Sequence, residues 1–415
     1  MEKEIKNICQ LAKDASYTFA RVDTNLKNNL LKNIKKHIAD SAKKIIEANK
    51  KDLVIAKNNN RDAAFIDRLA LNEERVLQMC KGIDAVIALE DPVGKIVSSY
   101  DLPNGLHVDR VRSPLGVIGI IFEARPNVAL DAAILCIKSG NAVVLRGSRE
   151  SINSVEAIVD AIKSALTELN MDTALVSLIS SLDRQATIEM LKQDKYIDIV
   201  IPRGGEGLKK VVLENATMPV LASAGGNCHM YIAKSADIAM SKRVVYNAKV
   251  SRPGVCNALE TLLIDKSIAA KTLKDFCDML KEAGIEIRVS KEAKKYCGYG
   301  IEITEDEYYT EYHAPQIKVI IVNGIDEAIY HINKYSTNHS DSIMTTDEKE
   351  MEQFGTQVDS AAVYINASTR FTDGFELGLG AEMGISTQKL HVRGPIGIEE
   401  LTSIKYVIRG NGHIR

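Results

Sequence analysis

The chain has 415 residues, of which 45% are hydrophobic and 26% charged, with a net charge of −2. That length holds two or three domains with sizeable cores. The near-neutral charge, without a concentrated basic patch, gives no electrostatic case for nucleic acid, and no apolar run reaches the roughly 20 residues that cross a membrane as a helix.

In chain order, the opening "MEKEIKNICQLAKDASY" is amphipathic and charged and has no signal-peptide core. A cytoplasmic protein without a membrane partner is expected. Residues 2 to about 90 read as helices: Leu26, Leu30, Leu31, Ile34 and Ile38 recur at helical spacing, and Asn72 before Glu73 and Glu74 makes a helix start. Alternating segments flank Pro103-Asn104-Gly105 and predict a β-hairpin. From Gly116 onward "GVIGIIF", "AVVLR", "ALVSLI" and "IDIVI" read as buried strands, separated by the helical "VALDAAILCIKSG", "SVEAIVDAIKSALTEL" and "RQATIEMLKQ". Apolar strands that alternate with helices predict a parallel sheet covered on both faces, the doubly wound α/β class. A second α/β stretch begins near Met230 and includes "MYIAK", "ALETLLI", "IEIRV" and "QIKVIIV". After one short strand the C-terminal part is glycine-rich and polar, and a long irregular stretch in a compact protein is more often functional than idle.

Seven cysteines are widely spread, with no C-x-x-C pair, which argues for thiols rather than disulfides. Cys228 adjoins His229, but two adjacent side chains rarely supply metal geometry, so no metal is expected. Cys256 stands apart in "SRPGVCNALETLL", a polar turn directly before an apolar strand. Gly254 lets the backbone approach a ligand, Pro253 stiffens the turn, and the N–H groups around Cys256 and Asn257 are placed to stabilise a thiolate and an oxyanion. The alternative is a small buried hydrophobe, as Cys136 is on its helix.

No G-x-G-x-x-G follows the first strand of the α/β region. Instead Arg146, Ser148 and Arg149 lie just past the carboxyl end of a parallel strand, where ligands bind. An arginine and a hydroxyl there suit a 2′-phosphate and hence NADPH; solvated surface charges are the alternative. Gly204 and Gly205 precede a helix start, where N–H groups meet a phosphate, or form a simple turn.

The succession "SPLGVIGIIFEARPNVALDAAILCIKSGNAVVLRGS", "IPRGGEG" and the cysteine loop resembles the aldehyde dehydrogenase superfamily, over essentially the whole chain. "FEARPNVALDAA", "SRPGVCNALETLL", "DSAAVYINASTRFTDG" and "GLGAEMGISTQKLHVRGPIGIEELT" are most similar to its branch that acts on a glutamyl phosphate. The resemblance implies an aldehyde dehydrogenase-like α/β fold of two doubly wound parallel-sheet domains plus a small β-hairpin oligomerisation element. An NADP(H)-binding domain is expected over 1–228, with 366–398 packing back on it, and a catalytic domain carrying Cys256 over 229–365. The hairpin at 95–112 and the tail at 399–415 correspond to oligomerisation elements, so a homo-oligomer is expected, in keeping with the general preference for closed symmetric assemblies.

The implied activity is NADPH-dependent reduction of L-glutamyl 5-phosphate to L-glutamate 5-semialdehyde and phosphate, the second step of proline biosynthesis from glutamate. Cys256 matches the nucleophile that carries the thioester. Asn127, in "RPN", is the candidate second oxyanion donor, although the superfamily's usual asparagine falls near Ala124. Glu311, in "TEYHAP", matches the glutamate that holds the nicotinamide ribose, with only that residue and Pro315 persisting; a surface carboxylate is its alternative. Ser223 stands where oxidising relatives carry the water-activating glutamate, and losing that base spares a thioester from hydrolysis. For the substrate's charged end, the loop "NASTRFTDG" offers Asn366, Ser368, Thr369, Arg370 and Asp373, with Arg370 either pairing with the carboxylate or tying the loop down. His391 and Arg393 are equally open to a structural role. A separate glutamate kinase is the expected partner enzyme. Two rival readings remain: a superfamily relative using CoA or oxidising aldehydes, separable by a phosphate requirement, and a nucleotide-binding scaffold without catalysis, against which the intact Cys256 loop weighs.

Overall fold

The computed structural model describes every residue except Ser223 and Ala224, and leaves out the side chain of Ala64. The chain forms two compact units: Met1–Ala222 with Gly378–Gly384 and Ile396–Arg415, and Ser223–Leu377 with Ile385–Pro395. The division falls at 222 where the sequence reading places it at 228, and within 366–398 only Gly378–Gly384 and the residues from Ile396 go with the first unit.

The first unit opens with helices Glu2–Phe19, Thr24–Asp40, Ala42–Asn58, Ala63–Leu69 and Glu73–Ala88. Leu30, Leu31, Ile34 and Ile38 form one buried stripe, while Leu26, a turn earlier, is exposed. The starts are capped by side chains: Asp23 accepts from the Leu26 N–H, Asp62 from Phe65 and Asn72 from Arg75. Strands β1 (Ile96–Asp101) and β2 (His107–Pro114) form the hairpin around Pro103-Asn104-Gly105. The C-terminal strand Thr402–Arg409 pairs antiparallel with β2, so hairpin and tail make one three-stranded sheet.

Next come β3 (Val117–Phe122), β4 (Ala142–Arg146), β5 (Val176–Leu178) and β6 (Ile199–Arg203), a parallel sheet in the order β5-β4-β3-β6. Every residue of β3 and β4 is buried, as unalternating apolar runs require. Helices Thr24–Asp40 and Ala42–Asn58 pack on helix Ile152–Glu168 between β4 and β5. The fully buried Asp52 accepts from the N–H groups of Asn153 and Ser154 at that helix's start, placing an anion where the helix dipole favours one.

The second unit holds β7 (Cys228–Ile232), β8 (Leu259–Asp265), β9 (Glu286–Val289), β10 (Ile301–Glu302), β11 (Gln316–Val322), β12 (Ser340–Met344) and β13 (Ala362–Ile365). They form one seven-stranded parallel sheet in the order β10-β9-β11-β8-β7-β12-β13. Between β7 and β8 the register shifts, with Cys228 opposite Leu259 and His229 opposite Thr261, so Glu260 is an extra residue on β8. Short antiparallel strands β14 (Ile385–Ser386) and β15 (Gly394–Pro395) follow, and the tail strand is β16. Among the described residues no helix is long and apolar enough to cross a membrane.

The entry to β3 depends on one carboxylate. Asp198 accepts the Val117 N–H at 2.7 Å and pairs with Lys13 Nζ at 2.7 Å. It sits where a side chain on Gly116 would project, and Gly116 has a φ of +122°. A Gly116→Ala substitution therefore combines a backbone conformation that L-residues avoid with a collision at Asp198. We expect it to lower stability by about 2–4 kcal/mol, measured as a shift of the urea midpoint at unchanged slope.

Candidate active site

In the second unit helix Ile238–Val250 ends and the chain turns through residues 251–258 before entering β8. Six of the seven cysteines are buried and Cys256 alone is half-exposed. Burial pushes the thiols of Cys80, Cys136, Cys228 and Cys277 up, and that of Cys9 to about 12, so these stay protonated and inert. The turn is closed by the Ala258 N–H donating to the Val255 carbonyl at 3.0 Å, which puts Cys256 and Asn257 at its two central positions.

That turn is held from two directions. On one side lies the start of β7. A Cβ on Gly226 would fall within bonding distance of the Cys256 carbonyl oxygen and 2.7 Å from its Cα. The Cys228 thiol donates to the same carbonyl at 3.2 Å. On the other side lies the loop after β13. The Thr369 hydroxyl donates to the Asn257 carbonyl at 2.7 Å, and the Asn257 amide donates to the Thr372 carbonyl at 2.9 Å and that of Arg370 at 3.2 Å. Arg370 returns a guanidinium N–H to the Asn257 side-chain oxygen and another to the Ser251 hydroxyl at 3.3 Å. Burial works to lower the Arg370 pKa, with Arg252 nearby as a like charge. The loop is anchored in turn: Thr372 Oγ1 shares hydrogen bonds with Ser340 (2.6 Å) and Tyr364 (2.8 Å).

The remaining loop candidates bond to nearby main chain. Asn366, at φ +54°, accepts from the Thr345 N–H and donates to the Thr345 carbonyl, both at 2.9 Å. The Ser368 hydroxyl accepts from the Arg370 N–H at 3.3 Å, and Asp373 from the Phe375 N–H at 2.9 Å. Of the set, Thr369 and Arg370 meet the cysteine turn. Arg393 pairs with Asp359 at 2.8 Å, and His391 has a φ of +69°. Ser223 lies outside the described residues.

A second, charged group sits beside this turn. Lys249 and Glu260, 0% and 1% exposed, pair at 3.0 Å. Burial acts to raise Glu260 and lower Lys249, and their mutual attraction opposes both shifts. The bulge at Glu260 turns its carboxylate to Lys249 and also to the Tyr312 N–H, at 3.0 Å. The neighbouring Glu311 has one oxygen 3.1 Å from His313 Nε2; the other is buried without a hydrogen-bond partner. The hydrogen bond to Glu311 raises the His313 pKa. Lys318, brought down to about 8 by burial, donates to Asn227 Oδ1 at 3.0 Å and to the Thr310 carbonyl. Asn227 in turn donates to the carbonyls of Tyr308 and Tyr335, each at 2.8 Å. Sequence reasoning missed Lys249, Glu260, Lys318 and Asn227. The signal available was a polar residue in each of two otherwise apolar strands, "ALETLLI" and "QIKVIIV".

The other candidates belong to the first unit. Asn127 is the first residue of helix Asn127–Lys138, and its amide donates to Asp131 Oδ2 at 2.8 Å. Ala124 just before it has a φ of +54°, a left-handed conformation that costs an L-residue roughly 1 kcal/mol or more. Arg146 is buried and donates to the Gly147 and Asp183 carbonyls, with its Nε left without a partner. Ser148 shares a 3.1 Å hydrogen bond with Ser151. Gly204 and Gly205 directly precede helix Glu206–Asn215. The Glu123 carboxylate accepts the Gly205 N–H at 3.0 Å and lies where a Gly204 side chain would project, so an anion already serves that helix start. No group of three or more His, Cys, Asp or Glu able to hold a metal occurs among the described residues.

The family model described as the aldehyde dehydrogenase family matches residues 1–308, so the class is an oxidoreductase of the aldehyde dehydrogenase type. The chain is 49% identical over 415 residues to a Thermoanaerobacter pseudethanolicus protein named γ-glutamyl phosphate reductase, covering 100% of both chains. A protein of the same name from Carboxydothermus hydrogenoformans is 47% identical over 412 residues, 99% of each. The crystal structure of γ-glutamyl phosphate reductase from Thermotoga maritima, 42% identical, superposes with a TM-score of 0.97 over 99% of this chain and 100% of that one. The chain belongs to the γ-glutamyl phosphate reductases of the aldehyde dehydrogenase family.

Removing one partner of the Lys249–Glu260 pair leaves a buried charge without compensation. Glu260→Gln should destabilise the protein by about 3–5 kcal/mol, read by denaturant unfolding. The replacement of both residues by apolar side chains of similar volume should recover most of that loss.

Proposed function

We propose that this enzyme reduces L-glutamyl 5-phosphate to L-glutamate 5-semialdehyde and phosphate through a thioester on Cys256, in the route from glutamate to proline. The observation that carries this reading is the placement of Cys256, the one half-exposed cysteine, on a turn whose main chain is fixed from both sides. A nucleophile held in this way loses little freedom on reaching a bound carbonyl. The thiolate sulfur adds to the acyl carbon, the bond to the phosphate oxygen breaks, and inorganic phosphate leaves with that electron pair. When bound, NADPH supplies the hydride that turns the thioester into the aldehyde and returns the thiolate.

The residues present fit a nicotinamide cofactor at two places. Glu311 keeps a buried carboxylate oxygen without a donor, which suits a ribose hydroxyl. Arg146, with an unpartnered buried Nε–H, is the last residue of β4 and Ser148 lies just past it, where a cation and a hydroxyl suit a 2′-phosphate. A phosphate at the diglycine would take the place of the Glu123 carboxylate that now accepts the Gly205 N–H. Asn127 is the side-chain candidate for an oxyanion donor, its amide oriented by Asp131. The three-stranded sheet exposes Tyr100, Tyr406 and Ile408 on one face, which suits a second copy of the chain.

Turnover is followed most simply in reverse, as NADP⁺ reduction by glutamate semialdehyde with and without inorganic phosphate. We expect turnover that requires phosphate, is faster than with NAD⁺, and is abolished in Cys256→Ala. Turnover independent of phosphate would mean that water accepts the acyl group, and activity in Cys256→Ala would remove the thioester.

Arg370 is the residue we assign to the substrate's α-carboxylate, since its planar fork has more N–H groups than its bonds to Asn257 and Ser251 use. Arg370→Ala should raise KM for the semialdehyde roughly tenfold to a hundredfold, the worth of a charge-assisted hydrogen bond. An unchanged KM assigns Arg370 to the loop alone.

A further inference from the structure

The hydrogen bond that closes the turn at Val255–Ala258 leaves the orientation of its central peptide open. Rotating the Cys256–Asn257 peptide by about 180° converts a type I turn into type II with the same closing bond. Type II requires a positive φ at the third residue, which asparagine tolerates better than most. Asn257 is not in that region here, so something selects the other orientation.

The selecting contact is on β7. The Cys256 carbonyl points to the Cys228 thiol, which donates to it at 3.2 Å. The absence of a side chain at Gly226 lets that carbonyl come down onto the strand. The Cys228 N–H bonds to the Gly226 carbonyl at 2.7 Å and keeps this short segment folded tightly under the turn. Cys228 is fully buried, and burial raises its pKa, so the sulfur remains an S–H donor at working pH. His339 Nδ1 approaches the same sulfur from another side, at 3.9 Å.

In a trans peptide the C=O and the following N–H point in opposite directions. Holding the Cys256 carbonyl on β7 therefore turns the Asn257 N–H away from the strand. We propose that Cys228 is a positioning residue for the reaction: its thiol fixes the Cys256–Asn257 peptide so that the Asn257 N–H serves the oxyanion formed when Cys256 adds to a carbonyl. This rests on Cys256 being the nucleophile. Without the Cys228 donor, the peptide samples the flipped orientation, in which a carbonyl oxygen faces the developing negative charge.

The test compares Cys228→Ala and Cys228→Val, which lack the donor, with Cys228→Ser, which keeps one, in the phosphate-dependent NADP⁺ assay. Losing an oxyanion donor outright costs a hundredfold or more; losing the contact that orients it should lower kcat about tenfold, with KM for the semialdehyde within about twofold. Cys228→Ser should stay within about threefold of the wild type. Alkylation of Cys256 by iodoacetamide, located by mass spectrometry, forms no oxyanion and should keep its rate in all three variants. A kcat unchanged in both Ala and Val variants overturns the proposal. So does a fall in kcat that Ser does not restore, or one matched by an equal change in alkylation, since either reports a disturbed loop. If Cys228→Ala does not fold, the Val and Ser pair decides the matter alone. Activity surviving in Cys256→Ala is a separate outcome that removes the nucleophile itself.

Discussion

The Cys256 main chain occupies the space that a side chain at position 226 would fill. From that one steric fact much of the second unit's design follows. The turn bearing Cys256 rests directly on the start of β7, so its geometry is set by a strand in the interior of a seven-stranded sheet rather than by a surface loop. Residues built on regular elements hold position better than those on loops. The loop after β13 closes over the turn from the other side, with Thr369, Thr372 and Arg370 all bonded to Asn257. The half-exposed Cys256 belongs to an otherwise confined segment.

Pressing a turn onto a sheet in this way disturbs the ladder beneath it, and the bulge at Glu260 is where the disturbance appears. The bulge turns a carboxylate into the interior, a costly placement unless it is compensated. Lys249, one turn before the cysteine segment, supplies the charge, and the Tyr312 N–H supplies a further hydrogen bond. Because Tyr312 adjoins Glu311, the same buried pair also fixes the segment that offers an unpaired carboxylate oxygen. The nucleophile's segment and the candidate cofactor contact are thus held by one electrostatic unit, and a change at either charge reaches both.

Much of this fold was legible in the sequence where burial and composition agree. β3, β4, β8 and β11 are apolar runs and read as buried strands. β12 was not legible, because Ser340, Asp341 and Ser342 are polar yet fully buried. Much of their cost is met by partners distant in sequence: Asp341 accepts from the His229 N–H and Ser360, besides the nearby Ser336. Such pairing leaves no trace in local pattern. The same limit applies at Gly204 and Gly205, where a glycine pair before a helix fits a phosphate or a carboxylate equally well. The Glu123 carboxylate that meets the Gly205 N–H lies some eighty residues earlier in the chain, beyond the reach of local pattern. Cys256 was legible because its neighbours in sequence, a proline, a glycine and an asparagine, are themselves the turn that exposes it.

The contrast among the cysteines follows from this arrangement. A thiol becomes a nucleophile only where its thiolate is tolerated, and an apolar interior raises the pKa too far for that. Cys228 and Cys256 lie on adjacent elements, the one buried and the other half-exposed. The first is buried at the start of a central strand and kept protonated, and it donates a hydrogen bond to the main chain of the second. The second stands on a turn that leaves it half-exposed, with the Arg370 guanidinium near enough to interact with its charge. A protonated thiol suits the first position, because a thiolate there would repel the carbonyl that it has to hold.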